Sequence, residues 1–203
     1  MLYITVKILP FLYYVLVSLA AYASTDIEIY ESNKCSSLFT IYEQKYGIPK
    51  NLMYSMSLYM NHKDHSKCHL TITWPWTINI NGNYQFFENK KEAVNFVRQK
   101  IQNPNNQINV GCMQINVQNN INKFKSIEEL LSPKKNIEFT ANFLKNNYSI
   151  MNNWYQVAED FYKGTTTLPN NYQTIRALHY DFDRYLVRLK QRTKMLEQNH
   201  DKV

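Results

Sequence analysis

The chain has 203 residues and a formal net charge of +7. This length suits one domain with a sizeable core. The positive charge is compatible with an anionic partner such as a cell-wall polymer, lipid headgroups or nucleic acid. The lysines, however, are scattered through Asn-rich sequence without a basic run, so we expect no nucleic-acid partner.

The N-terminus has the features of an export signal. Lys7 precedes an apolar run from Ile8 to Ala20, and Ala21-Tyr22-Ala23 gives the small-x-small pattern of a signal peptidase site. We therefore predict a signal peptide over residues 1–23 and a periplasmic or secreted mature protein. The alternative is an uncleaved membrane anchor, for which the apolar run is short.

Two helices are predicted at the start of the mature chain. An apolar stripe runs along residues 35–46, and Gly47 is suited to cap the end of that helix. Pro49 suits the first turn of a second helix that continues to Met60. This second helix is apolar on most sides, so we expect it to lie in the middle of the domain.

A histidine-rich segment, His62–His69, follows the second helix. It contains three histidines and Cys68, at intervals that would also suit zinc. All of these side chains belong to one short loop without a second cluster of ligands. We therefore favour a polar surface loop without a metal, and we keep zinc binding as an alternative.

A β-hairpin is predicted over residues 74–84, because polar and apolar residues alternate around Asn81-Gly82. Trp74 and Trp76 stand beside it. Two exposed indole rings there would suit stacking on sugars, and core packing is the alternative for each of them.

The remaining chain is predicted to be helical, with starts marked by capping residues. The predicted helices are 89–102, 126–131, 132–147, 154–161 and 173–190. The domain organisation expected from these elements is a signal peptide over 1–23, an N-terminal lead over 24–34, one domain over 35–190 and a polar C-terminal tail over 191–203.

The residues between these helices contain a series of motifs in a fixed order. Residues 74–82 read WPWTINING, and residues 111–116 read GCMQIN. Ala158 is followed by Tyr162 four residues later. This order resembles the SLT domain of lytic transglycosylases, which is related to goose-type lysozyme. The resemblance extends over about residues 35–185 and is closest to a periplasmic branch of that family.

The resemblance implies a mainly α, lysozyme-like fold with a small β-hairpin. It also implies a monomer without cofactor or metal that acts on the glycan strands of peptidoglycan, in some cases beside components of an envelope-spanning secretion system. Such enzymes use one Glu, first as acid and then as base, and form anhydro sugars. The substrate-binding residues that the resemblance implies are Gly111, Met113, Gln114, Asn116 and Trp76, with Tyr162 placed against the acid.

The acid itself is missing from this sequence. Alignment of the second helix with the family places Met60 at the position of the Glu, and a thioether cannot donate a proton. The leading hypothesis is therefore a lytic transglycosylase-like protein with lost or weakened catalysis. Two alternatives remain open. One is an active enzyme that uses Asp64, Glu159 or Asp160, and the other is a non-catalytic interaction protein of an envelope assembly.

Three cysteines remain in the mature chain, so one pair and one free thiol are expected in an oxidising compartment. Cys35 opens the first predicted helix and Cys68 lies in the loop after the second. The sequence therefore predicts a Cys35–Cys68 disulfide and a buried thiol at Cys112.

Overall fold

The computed structural model describes residues 27–66, residues 70–163 and His179. The predicted signal peptide and the polar tail lie outside the described residues, and so does the predicted closing helix except for His179. Within the described ranges, no helix combines the length and the apolar character needed to cross a bilayer.

Helices make up most of the described chain, as the sequence predicts. They are α1 (27–46), α2 (Leu52–Met60), α3 (Lys90–Lys100), α4 (Val117–Asn120), α5 (Ile127–Leu130), α6 (Pro133–Met151) and α7 (Trp154–Lys163), with a 3₁₀ turn at Ile121–Lys123. The strands are β1 (His62–Asp64), β2 (Thr71–Thr73), β3 (Thr77–Ile80), β4 (Asn83–Phe86), β5 (Ile108–Val110) and β6 (Ile115–Asn116).

The strands form two antiparallel sheets. β3 to β6 build one sheet in the order β4-β3-β5-β6. The predicted hairpin is confirmed as β3 and β4, with Ile80 opposite Asn83. Asn81 and Gly82 have φ values of +52° and +89°, which is the left-handed conformation that a tight two-residue hairpin turn requires.

The histidine-rich segment differs from its prediction as a loop. β1 pairs with β2 in a second sheet, with His62 opposite Thr73. The β-branched run Thr71-Ile72-Thr73 accounts for this, because such residues favour strands and Ile72 is buried in the core. Residues 67–69 lie outside the described residues.

α1 extends further toward the N-terminus than predicted, so the expected lead is helical from residue 27 onward. Gly47 ends this helix with a φ of +65°, as predicted. Pro49 lies before α2 rather than in its first turn, and Leu52 begins that helix.

The start of α2 is held by Glu43 of α1. The Glu43 carboxylate is 2% exposed and accepts hydrogen bonds from the backbone N–H groups of Asn51 and Met53, both at 2.8 Å. Burial raises the pKa of this carboxyl, while the backbone hydrogen bonds act in the opposite direction. Glu43 thus satisfies N–H groups that the first turn of a helix leaves without partners.

α2 occupies the centre of the core, as its apolar sequence predicts. Four of its apolar side chains are completely buried: Leu52, Met53, Met56 and Met60. The surrounding layers are α1, the four-stranded sheet, α6 and α7, whose buried side chains belong to the same cluster.

The predicted disulfide is wrong. Cys35 is bonded to Cys112, with the Cα atoms 5.8 Å apart, and Cys68 lies outside the described residues. Cys35 lies on the buried face of α1, next to Phe39 and Tyr42, and this face packs on the chain around Cys112. Proximity along the chain favoured Cys68, whereas helix packing selects a cysteine 77 residues away.

A second link between α1 and the rest of the fold is electrostatic. The Glu28 carboxylate accepts hydrogen bonds from the Lys63 ammonium group and from the Ser66 backbone N–H (3.0 Å) and hydroxyl (2.7 Å). Burial alone would raise the pKa of Glu28, but these hydrogen bonds and the charge of Lys63 lower it to about 2.

Glu28→Gln is expected to lower the free energy of unfolding at pH 7 by about 1–2 kcal/mol, after allowance for solvent screening. The folded-state pKa lies below the ordinary 4.5, so this stabilisation is complete above about pH 4.5 and is lost as the pH falls through about 2. Urea denaturation of both proteins at pH 7 and at about pH 2.5 measures the difference, which should shrink at the lower pH. The exposed Glu88→Gln is the control, and a difference independent of pH would contradict the assignment.

Candidate functional site

The GCMQIN turn joins β5 to β6. Gly111 has a φ of +79° and donates its N–H to the Thr77 carbonyl at 3.0 Å. Gln114 has a φ of +49° and donates its N–H to the Gly111 carbonyl at 3.1 Å. Glycine is required at 111, because an added Cβ would lie 2.6 Å from Nδ2 of Asn136.

Asn136 of α6 holds this turn in place. Its Oδ1 accepts the Met113 N–H at 2.8 Å, and its Nδ2 donates to the carbonyls of Val110 (3.0 Å) and Leu130 (3.1 Å). Asn136 is completely buried. The sequence analysis assigned it no role. Its place in the sequence could have indicated this role, because the Asn136 amide lies on the same face of α6 as the apolar, buried Ile137 and Ala141.

The predicted substrate-binding residues of the turn lie inside the protein. Met113 and Gln114 are completely buried, and Asn116 is 5% exposed. The Gln114 Nε2 donates to the Gly111 carbonyl at 3.0 Å, and its Oε1 is buried without a partner among the described residues. Asn116 caps α4 by accepting the Asn119 N–H at 2.9 Å. These side chains therefore shape the turn from within.

The end of α2 is attached directly to this turn. Ser57 donates its hydroxyl to the Cys112 carbonyl at 2.7 Å. Asn61 donates its amide to the carbonyls of Trp74 (2.7 Å) and Cys112 (3.3 Å). Met60, to which the resemblance assigns the position of the acid, lies between these two residues and is completely buried.

Three tyrosines lie on neighbouring elements near this helix end. The rings of Tyr59 and Tyr162 are 6.3 Å apart. Tyr162 is 5% exposed, and burial raises the pKa of its phenol well above the ordinary value, with smaller contributions from Tyr84 and Tyr59. The Tyr84 ring lies 6.2 Å from the imidazole of His62. The structure thus brings the predicted Tyr162 close to the end of α2, together with Tyr59 and Tyr84.

The two tryptophans are buried, which selects core packing, the alternative that the sequence left open for each indole ring. Trp74 is 4% exposed and Trp76 is 5% exposed. The Trp76 Nε1 donates to the Glu31 carboxylate of α1 at 2.6 Å, and the Trp74 Nε1 donates to the Phe87 carbonyl at 2.8 Å. These hydrogen bonds link the segment before β3 to α1 and to the chain that follows β4.

The carboxylates considered as substitutes for the acid have other environments. Asp64 is exposed. Lys163 lies 3.6 Å from the Glu159 carboxylate and 2.9 Å from the Asp160 carboxylate, one turn away on α7. Among the described residues, no group of three or more His, Cys, Asp or Glu side chains is arranged to hold a metal ion.

Residues 89–179 match the family described as "Transglycosylase SLT domain". The matched region begins just before α3 and includes the GCMQIN turn and Tyr162, whereas α2 with Met60 precedes it. Searches of curated proteins and of solved structures found no match. The match supports the resemblance seen in the motifs, and the predicted mainly α, lysozyme-like fold with a small β-hairpin is confirmed.

Proposed function

We propose that this protein binds the glycan strands of peptidoglycan at a lysozyme-like cleft, formed by the end of α2, the GCMQIN turn and the tyrosines Tyr59, Tyr84 and Tyr162, and has lost the proton donor needed to cleave them. The similarity of residues 89–179 to the transglycosylase SLT domain supports a role in peptidoglycan recognition or turnover. The export signal predicted from the sequence supports action in the periplasm. Components of an envelope-spanning secretion system are the protein partners that the family resemblance suggests there.

The loss of catalysis rests on Met60. Cleavage of a glycosidic bond needs a carboxylic acid to protonate the leaving oxygen, with a pKa raised by an apolar environment. Met60 lies at the end of α2, completely buried in the core cluster. The surroundings are those that would raise the pKa of a carboxyl there, but the side chain carries no proton to give.

The other carboxylates give little support to the active-enzyme alternative. The Glu43 carboxyl is buried, but it is bound to the backbone at the start of α2, the opposite end of that helix. Glu159 and Asp160 are both paired with Lys163 on α7, at 3.6 Å and 2.9 Å, so neither has the purely apolar surroundings that suit a general acid.

Binding to purified sacculi, measured by co-sedimentation of the mature protein, tests this proposal. Tyr59 is half-buried beside Met60 and Tyr162. Tyr59→Ala is therefore expected to weaken binding about tenfold through loss of aromatic contact with sugar rings. Tyr30→Ala, at an exposed site on α1, should leave binding unchanged. A mature protein that stays in solution in the presence of sacculi would favour the interaction-protein alternative instead.

A further inference from the structure

A groove of about 460 Å³ lies between the tip of the β3–β4 hairpin and the end of α3. Most of the side chains that line it are amides, namely Asn81, Asn83, Gln85, Gln99, Asn103 and Asn106. Phe96 supplies an aromatic surface and Lys100 supplies the only charge. The groove shares no residue with the turn, the helix end or the tyrosines of the cleft.

The backbone that forms this groove is fixed on both sides. On the hairpin side, the Asn81 Oδ1 accepts the Gln107 N–H at 2.8 Å, and the Asn81 N–H donates to the Gln107 carbonyl at 3.1 Å. At the end of α3, the Asn106 Nδ2 donates to the Lys100 carbonyl at 2.8 Å. The shape of the groove therefore exists before any ligand binds, which lowers the entropic cost of binding.

Three of the amides are available to a ligand. Asn83, Gln85 and Gln99 are exposed, and none of their side-chain amides has a hydrogen-bond partner in the part of the chain that the structure describes. Each offers a carbonyl acceptor and two N–H donors. The Phe96 ring is supported by Phe87, with ring centroids 4.9 Å apart, and the Lys100 ammonium lies 5.3 Å from its centroid.

The lining selects a class of ligand. Sites for a divalent cation are built mainly on carboxylates, and none lines the groove. A phosphate group requires several cations or a basic cluster, and one lysine is a weak equivalent. Uncharged donors and acceptors beside an aromatic ring suit a neutral ligand rich in hydroxyl and acetamido groups.

We infer that this groove is a second carbohydrate-binding site, which takes an N-acetylated sugar unit outside the cleft. β4 separates the two sites. Asn83 and Gln85 face the groove, and Tyr84 projects from the opposite side of the strand, where its ring meets His62. A glycan held at the groove is therefore separated from the cleft only by the width of β4. Binding at both sites would hold one glycan chain more tightly than either site alone.

The inference is tested by titrating the mature, ¹⁵N-labelled protein with the β-1,4-linked tetramer of N-acetylglucosamine and following amide chemical shifts. We expect shifts at Asn83, Gln85, Gln99 and Lys100 that saturate. The double variant Gln85→Ala/Gln99→Ala should weaken this saturation at least about tenfold, because two ligand hydrogen bonds are lost.

The controls separate this site from the cleft. Asn95→Ala changes an exposed amide of α3 that does not line the groove, so it should leave the affinity unchanged. Tyr59→Ala should also leave the shifts around the groove unchanged. Shifts that are confined to the cleft, shifts that are absent, or an affinity unaffected by the double variant would each overturn the inference, whatever the outcome for the cleft.

Discussion

Asn136→Ala is expected to lower the free energy of unfolding by about 4 kcal/mol. The substitution removes three hydrogen bonds at a completely buried position. It leaves the Met113 N–H and the carbonyls of Val110 and Leu130 without the partner that they have in the folded protein, and buried polar groups left unpaired are costly. Urea denaturation followed by circular dichroism measures the change.

The matched control is Asn146→Ala. Asn146 is exposed on the same helix and its side chain has no hydrogen-bond partner among the described residues, so its removal should change the free energy of unfolding by less than about 0.5 kcal/mol. If the two variants were equally stable, Asn136 would not be what holds the GCMQIN turn.

Cys35→Ser is expected to destabilise the protein by about 4 kcal/mol. The Cys35–Cys112 bond closes a loop with a sequence separation of 77 residues, and a loop of that length removes much conformational entropy from the unfolded chain. The loss should appear as a lower midpoint of urea denaturation and should be reproduced by reducing the native protein.

Cys68→Ser provides the contrast. It should leave the free energy of unfolding nearly unchanged, because Cys68 is not the partner of Cys35 in the structure. Mass spectrometry of a non-reducing digest should yield a peptide pair linked through Cys35 and Cys112. A pair linked through Cys35 and Cys68 would contradict the structure and restore the pairing favoured by the sequence.

Local signals in the sequence predicted much of the fold. Asn89 and Ser126 cap α3 and α5 through their side chains, as the spacing to Glu92 and Glu129 predicts. Asn81-Gly82 predicted the hairpin because few residues adopt its left-handed conformation. Such signals lie within a few residues of the element that they determine, so a single sequence is sufficient to detect them.

The features that were mispredicted or left open depend on long-range packing. The partner of Cys35 is 77 residues away, and the buried Trp76 donates a hydrogen bond to the Glu31 carboxylate of α1. Likewise, the carboxylate of Glu43 holds the start of α2 from a different helix. No local pattern specifies which distant groups meet, and these contacts appear only when the helices are assembled.

Some residues of the candidate site could be predicted from the sequence, and others could not. Motif order directed attention to Gly111, Gln114 and Tyr162, and the structure places them around the end of α2. The part played by Asn136 follows only from its three hydrogen bonds to separate backbone segments. A buried amide on an apolar helix face is a signal that something must satisfy it, but the sequence does not name the partner.

The proposed function requires that the surroundings of position 60 persist and that only the acid is missing there. It is tested most directly by digesting purified peptidoglycan with the native mature protein, Met60→Glu and Met60→Gln, followed by mass spectrometry of anhydromuropeptides. Met60→Gln matches the size of Glu without its proton, and circular dichroism checks that each variant is folded. We predict detectable products from Met60→Glu alone, because loss of a general acid typically lowers the rate by about 10²–10⁴-fold. Release of anhydromuropeptides by the native protein would contradict the claim and show that another carboxylate performs the chemistry.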